Sequence, residues 1–201
     1  MPRNRLPVVA VRSLAWLLLP ALAGCLSAPP PVPEHWTIEF ARPESAEAPA
    51  PAELAFGAVR VVSVDVRAPY NGQRLVVLRP DGSVAFDAFN GFAAPPAALL
   101  KGAAVDVIES TGVFSRVLSS SSSASGAYAV ELTVTRLALD CRTPGSRAAV
   151  VALKATLLNG RDVVGVSPGE AAVPVEDGNF SQAFSRAFTA ALAEAAAKFR
   201  R

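Results

Sequence analysis

The alternation of apolar and polar positions along the chain predicts eight β-strands separated by turn residues. The predicted strands cover residues 35–40, 56–67, 74–79, 83–89, 113–118, 126–140, 149–158 and 162–175. In the second strand we expect Val62, Val64 and Val66 to share one face, and in the sixth a switch of phase after Arg136 indicates a β-bulge. Glycine and proline interrupt the last strand, which is typical of the edge of a sheet.

Two further segments repeat their apolar residues at the spacing of an α-helix. The first, residues 95–111, ends before Gly112, and its apolar stripe consists of Leu100, Ala104, Val107 and Ile108. The second, residues 180–200, carries a row that we expect in the core: Phe180, Phe184, Phe188, Leu192 and Ala195. The order of strands, helix, strands and helix predicts a single α/β domain, with α+β as the alternative, in which two helices flank a mixed β-sheet.

The first 25 residues have the pattern of a bacterial secretory signal. A positively charged segment precedes an apolar stretch over 14–22, which is too short for a permanent membrane helix of about 20 residues. The sequence Leu22-Ala23-Gly24-Cys25 then resembles a lipobox, in which the Cys25 sulfur takes up a diacylglyceryl group. We therefore expect a signal peptide over 1–24, a lipidated, proline-rich tether over 25–33 and one domain over 34–201. An ordinary signal peptide is the alternative.

Acylation of Cys25 would attach the domain to a membrane. Each buried CH₂ contributes about 0.8 kcal/mol, so two or three acyl chains anchor a protein stably. Leu26 and Ser27 follow the cysteine, whereas inner-membrane lipoproteins of many Gram-negative bacteria have Asp at this place. That resemblance implies the outer membrane, on its periplasmic side. Cys141 is then left without a disulfide partner, and we expect a semi-buried thiol near a turn.

Charge and composition argue against nucleic-acid binding and against catalysis. The formal charge of +2 includes three arginines of the signal segment, so the mature chain is about neutral and has no basic stripe. The single histidine, His35, lies beside the tether, and no cluster of Cys, His or carboxylates has the spacing of metal ligands. Motifs for nucleotides and for a nucleophilic serine are missing from the sequence. We therefore expect no enzymatic activity, no metal and no cofactor.

Several motifs within Val59–Val117 occur in the order found in one family. Pro69-Tyr70-Asn71-Gly72-Gln73-Arg74-Leu75-Val76 resembles its Tyr-x-x-x-Arg-Leu-Val stretch, and Phe89 and Phe92 stand where it usually has Tyr and Trp. Ser110-Thr111-Gly112-Val113-Phe114-Ser115-Arg116-Val117 resembles its Ser-Gly-x-Phe-x-x-Val ending. The chain thus resembles the auxiliary lipoproteins of ABC-type intermembrane transport systems, which accompany MCE-domain proteins in phospholipid traffic.

This resemblance implies a non-enzymatic component that docks an MCE-domain protein at the outer membrane, while an inner-membrane ABC transporter supplies the ATP chemistry. The residues that we expect on a partner surface are Tyr70, Asn71, Arg74, Phe89 and Phe92. A structural role for Tyr70 and Arg74, which could hydrogen-bond to loop carbonyls, is the alternative. A homo-oligomer is compatible with this function. The alternative function is a structural or assembly lipoprotein of the bacterial envelope.

Overall fold

The computed structural model describes residues 56–200, Val32 and the backbone of Glu34–Trp36. The chain divides into two units, residues 1–32 and 33–201, and every described strand and helix belongs to the second. The predicted signal peptide, Cys25, nearly all of the tether and the predicted strand residues 37–40 lie outside the described residues.

The described residues form eight strands and two α-helices. These elements are β1 (Glu34–Trp36), β2 (Phe56–Val66), β3 (Arg74–Leu78), β4 (Val84–Phe92), α1 (Pro96–Ser110), β5 (Phe114–Leu118), β6 (Tyr128–Asp140), β7 (Ala148–Asn159), β8 (Asp162–Pro174) and α2 (Phe180–Ala197). A short 3₁₀ helix, Lys198–Arg200, continues α2. The prediction of one α/β domain with a mixed sheet and two helices is confirmed.

Strand β6 is the centre of the sheet. Along one edge of β6, residues 128–134 pair in parallel with β2, beginning with Val59↔Tyr128. Residues 138–140 on the same edge pair in parallel with β3. The other edge pairs along its whole length with β7 in antiparallel fashion. Outward from these strands, β5 pairs with β2, β4 with β3, β1 with β4, and β8 with β7.

The helices cover one face of this sheet. Helix α1 packs on β2 and β5, whereas α2 packs on β7 and β8. The predicted stripe of α1 is buried, and so is the predicted row of α2 from Phe184 to Ala195. Phe180, at the start of α2, is half-buried, and the guanidinium of Arg147 lies 5.6 Å from the centre of its ring. Burial of large apolar side chains contributes roughly 1.5–3 kcal/mol each, so these rows attach both helices to the sheet.

Small residues let α2 approach β8 very closely. A Cβ atom added to Gly169 of β8 would lie 1.9 Å from the carbonyl oxygen of Ala191 and 3.2 Å from the Cβ of Ala195. Ala191 and Ala195 are fully buried on the face of α2 that meets the strand. The helix therefore rests on the backbone of the strand instead of on its side chains.

The structure confirms one predicted irregularity of register and corrects another. The pairing of β6 with β7 shifts between Val134 and Arg136, so the expected bulge is present. The prediction that Val62 shares a face with Val64 and Val66 is wrong, because Val62 is 39% exposed. A second shift, between Val61 and Ser63 in the pairing with β6, changes which residues of β2 point into the core. Within the described residues β8 pairs with β7 alone, as expected of an edge strand.

Candidate partner-binding surface

Four of the five residues predicted for a partner surface reach the outside of the domain around β3 and β4. Asn71, Arg74 and Phe89 are exposed. Tyr70 is half-buried and packs partly against the core, while its backbone N–H donates to the carbonyl of Arg67 at 2.9 Å. Tyr70 therefore serves at least in part to fix the connection between β2 and β3.

The prediction that Phe92 belongs to the surface is wrong. Its side chain is 1% exposed, and its ring meets that of Phe184 edge-on, with 5.7 Å between the ring centres. The backbone N–H of Phe92 donates to the carbonyl of Gln73 at 2.7 Å, which holds the end of β4 beside the β2–β3 connection. Phe92 is thus a core residue that joins β4 to α2.

A bulge in β4 gives Phe89 its exposed position. Arg74 pairs with Gly91 and Val76 with Phe86, so four residues of β4 oppose a single residue of β3. The carboxylate of Asp87 organises this bulge: it accepts hydrogen bonds from the backbone N–H of Phe89 at 2.8 Å and of Asn90 at 2.9 Å. The side-chain amide of Asn90 adds a third at 3.1 Å. Phe89, 44% exposed, is therefore presented by an ordered loop.

The ionisation of Asp87 reflects the same contacts. Partial burial by itself raises the pKa of this carboxyl group. The hydrogen bonds from Phe89 and Asn90, together with the charge of Arg74, outweigh burial, and the pKa lies below its ordinary value. At neutral pH the bulge is therefore held by a carboxylate anion.

Gly91 fixes the bulge against the neighbouring connection. A Cβ atom at this position would lie 2.5 Å from the carbonyl oxygen of Gln73, which no side chain tolerates. The side-chain amide of Gln73 also donates to the carbonyl of Ala93 at 3.3 Å. Only glycine thus allows the connection that carries Asn71 and the bulge that carries Phe89 to lie side by side.

Phe86 joins this surface although it was not predicted from the sequence. It pairs with Val76, whose neighbour Leu75 points into the core below the helices, so Phe86 lies on the opposite side of the sheet. The ring is 45% exposed, and the guanidinium carbon of Arg74 lies 5.2 Å from its centre. The alternation of apolar and polar residues in β4 could have placed Phe86 on one side of the sheet. It does not tell which side of the sheet the helices leave uncovered.

We call Asn71, Arg74, Val84, Phe86 and Phe89 the β3–β4 surface. Val84, Phe86 and Phe89 are its exposed apolar members, and Arg74 lies beside them. Aromatic and arginine side chains carry much of the binding energy where proteins associate. A surface of this composition is chemically suited to contact another macromolecule.

The described residues offer little for metal or thiol chemistry. Nowhere among them do three His, Cys, Asp or Glu side chains come together as a metal site would require. Cys141 is a free, half-buried thiol. Burial raises the pKa of this thiol, Asp140 and Asp87 act in the same direction, and the charge of Arg147 opposes them. A thiol of this kind is a weak nucleophile.

These features define the class of protein: an α/β domain with exposed aromatic side chains around β3 and β4. The model of one family, described as the ABC-type transport auxiliary lipoprotein component, matches residues 38–199. The chain belongs to this family. Its members are lipoproteins, which places the chain among membrane-anchored proteins of the envelope, and their name associates them with ABC transporters.

Two solved structures share the fold. The protein XCC0632 from Xanthomonas campestris is 22% identical, with a TM-score of 0.57, and the match covers 75% of this chain and 85% of that chain. An uncharacterized protein is 16% identical, with a TM-score of 0.59, and the match covers 85% of this chain and 97% of that chain. A search of curated proteins found no match. In the part of the chain that the structure describes, neither helix combines the length and the apolar character needed to cross a bilayer.

Proposed function

We propose that this chain is the outer-membrane auxiliary lipoprotein of an ABC/MCE-type phospholipid transport system, anchored through acyl groups on Cys25. The observation that carries the proposal is the family match over residues 38–199, which agrees with the lipobox Leu22-Ala23-Gly24-Cys25 that precedes it. In this role the domain performs no chemistry. It holds an MCE-domain partner at the outer membrane, and the inner-membrane ABC transporter supplies the energy.

The β3–β4 surface is the part of the domain that we assign to the partner. Phe86 and Phe89 offer apolar area at little entropic cost, because the Asp87 bulge and the sheet already hold their backbone. Arg74 lies over Phe86 and keeps donors for a carboxylate or carbonyl of the partner. Phe92 has no part in this contact because it is buried.

The position of β1 supports docking close to the membrane. Eight residues, 26–33, separate Cys25 from β1 in the sequence. Strand β1 pairs with Asn90–Phe92 of β4, directly after Phe89 in the sequence. Strand β1, which follows the predicted tether in the sequence, thus lies beside the β3–β4 surface, and we expect a partner bound there to be close to the anchoring bilayer.

Capture of partners from solubilised membranes tests the proposal. The acylated wild-type protein should retain an MCE-domain protein together with ABC-transporter components. Phe89→Ala should reduce this capture at least tenfold, because removing an aromatic hot spot costs about 2 kcal/mol or more. Val163→Ala, at an exposed apolar residue of β8, is the matched control and should capture normally. Repeated absence of every MCE and ABC component from the wild-type sample would refute the proposal.

A structural or assembly lipoprotein of the envelope is the second candidate. A lipoprotein of this kind would have the same lipid anchor at Cys25 but would not act with a transporter. Genes for an MCE-domain protein, a permease and an ATPase beside the gene of this chain favour transport, whereas a neighbourhood of envelope or secretion components favours the alternative.

A further inference from the structure

Strand β8 leaves one edge of the sheet open to pairing. Among the described residues it pairs with β7 alone, and it is 13 residues long, Asp162–Pro174. The edge of such a strand presents a row of N–H and C=O groups, which is a template for pairing with another chain. Residues of an antiparallel strand bond alternately toward the neighbouring strand and away from it. The backbone groups that point away from β7 therefore decide whether this edge is accessible.

The even-numbered residues of β8 point their backbone groups away from β7. Just beyond the strand, the N–H of Val175 donates toward β7, to the carbonyl of Arg147 at 2.9 Å, and the pairing of the two strands is regular from Val166 onward. The residues that face the open edge are thus Val166, Pro168, Glu170, Ala172 and Pro174. The two prolines have no N–H to donate, so the donors on this edge are those of Val166, Glu170 and Ala172.

An ion pair from the end of α2 occupies the middle of this edge. The N–H of Glu170 donates to the carboxylate of Glu194 at 3.1 Å. The ammonium of Lys198 donates to the carbonyl of Pro168 at 2.8 Å and to the other carboxylate oxygen of Glu194 at 2.6 Å. The carboxylate thus takes the place of a carbonyl of a neighbouring strand, and the ammonium takes the place of its N–H. We call Glu194 and Lys198 the edge cap.

The close approach of α2 brings the edge cap to the strand. Ala191 of α2 rests on Gly169, where there is no room for a Cβ atom. Gly169 lies between the two residues of β8 whose backbone groups the edge cap binds. A larger residue at this position would move the helix away from the strand and withdraw both charged side chains from the edge.

The edge cap contributes little to stability by itself. The side chains of Lys198 and Glu194 are 37% and 46% exposed, and ion pairs that are this accessible to solvent stabilise proteins only slightly. The hydrogen bonds from Lys198 and from the N–H of Glu170 hold the pKa of Glu194 below its ordinary value, so this carboxylate is charged at neutral pH. The main effect of the pair is therefore on the strand edge, where it occupies a donor and an acceptor that another chain could use.

We propose that the edge cap prevents β8 from pairing with β8 of a second copy of this chain. The edge is self-complementary: when Glu170 lies opposite Ala172 of the second copy, the N–H and C=O groups of both residues bond reciprocally. A twofold axis repeats these bonds and gives about four in all. The edge cap removes the N–H of Glu170 from this set. Copies anchored at one membrane through Cys25 would meet often, which is where such pairing has to be prevented.

Amide hydrogen exchange tests the edge cap in the full-length acylated protein, solubilised with detergent micelles in large excess. Relative to its intrinsic rate, the N–H of Glu170 should exchange about tenfold more slowly than that of Ala172, which faces the same edge. Glu194→Ala/Lys198→Ala should remove this difference in dilute protein, whereas Glu194→Gln, which keeps an acceptor oxygen, should preserve it. Equal exchange of the Glu170 N–H in the wild type and the double variant overturns the proposal.

Sedimentation equilibrium tests the consequence for association. The double variant should self-associate about tenfold more tightly than the wild type, and the N–H of Ala172 should become protected as the protein concentration rises. Adding Ala172→Pro should restore the behaviour of the wild type, because proline removes a donor that pairing requires and is tolerated at a sheet edge. Association no tighter than that of the wild type, or association that leaves the Ala172 N–H unprotected, would refute the proposal.

A matched control and a melting curve separate the edge from the fold. Lys101→Ala/Asp106→Ala removes one positive and one negative charge from α1, which packs on β2 and β5, and should associate as the wild type does. The exposed position of the edge cap predicts that Glu194→Ala/Lys198→Ala melts within about 3 °C of the wild type. A decrease of more than about 10 °C would mean that the pair stabilises the whole domain, which contradicts the role assigned here.

Discussion

One carboxylate controls how the domain presents an aromatic ring. Asp87 receives three hydrogen bonds from the residues that follow it, and these bonds hold the four-residue bulge from which Phe89 projects. The arrangement depends on the negative charge, because both the hydrogen bonds and nearby Arg74 favour the ionised form. The local chemistry of one side chain thus determines the shape of the β3–β4 surface.

Replacing Asp87 should therefore destabilise the domain in a pH-dependent way. Asp87→Ala is expected to lower the free energy of unfolding by about 1–2 kcal/mol at pH 7, measured by urea denaturation. A lowered folded-state pKa stabilises the protein above the unfolded pKa of about 3.9, and this contribution is lost as the pH falls through the folded value. The difference between mutant and wild type should accordingly disappear in acid. Asp106→Ala, at an exposed residue of α1, should change the stability by less than about 0.5 kcal/mol.

The thiol of Cys141 provides a second prediction for a single residue. Because its pKa is raised, we expect slower alkylation by iodoacetamide at pH 7.5 than for a cysteine placed at Ser121 in a Cys141→Ser background. The rate should keep rising with pH beyond the range of an ordinary thiol. Equal or faster reaction of Cys141 would contradict the assigned environment.

At the level of elements, glycine positions decide how closely helix and sheet pack. Gly169 lies under α2 with no room for a Cβ atom, whereas a Cβ atom at Gly102 of α1 would meet nothing within 4 Å. The same substitution should therefore have opposite effects at the two places.

Gly169→Ala should destabilise the protein by about 3 kcal/mol or more, because α2 must move away from β8. Gly102→Ala should stabilise it by about 0.5–1 kcal/mol, since alanine restricts the unfolded chain and favours the helix. Urea denaturation of both variants gives the comparison. A mild effect at Gly169 would mean that the helix is packed less tightly than the structure indicates.

The strands and helices themselves could be predicted because each has its own spacing of apolar residues along the sequence. The apolar rows of α1 and α2, the bulge of β6 and the edge position of β8 all follow from spacing or from glycine and proline. Val62 and Phe92 could not be placed correctly, because their orientation depends on register shifts in β2 and β4. Unlike the phase switch of β6, the shifts in β2 and β4 depend on how these strands pair with their neighbours, which the local alternation does not specify.

For the whole molecule, the anchor proposed at Cys25 determines where the domain works. Wild-type protein grown with radioactive palmitate should incorporate the label and sediment with the outer membrane. Cys25→Ser should lose the label and change in mass, because the hydroxyl does not accept the diacylglyceryl group. Cys141→Ser should keep both the label and the location, which makes it the matched control. Full labelling of Cys25→Ser would exclude acylation at this residue.

The central position of β6 in the sheet also affects how the chain folds. The strand with which β2 and β3 both pair is β6, residues 128–140. About seventy residues therefore separate Val59 from its partner Tyr128. The hairpin of β3 and β4 can close locally, and β2 can meet α1 and β5, but the edge of β2 that pairs with β6 stays unpaired until residues 128–134 emerge. Long-range parallel pairing of this kind is slow and prone to aggregation. If the chain is exported from its N-terminus, as the proposed function requires, this open strand edge is exposed before residue 140 arrives, and we expect aggregation to be most frequent at that stage.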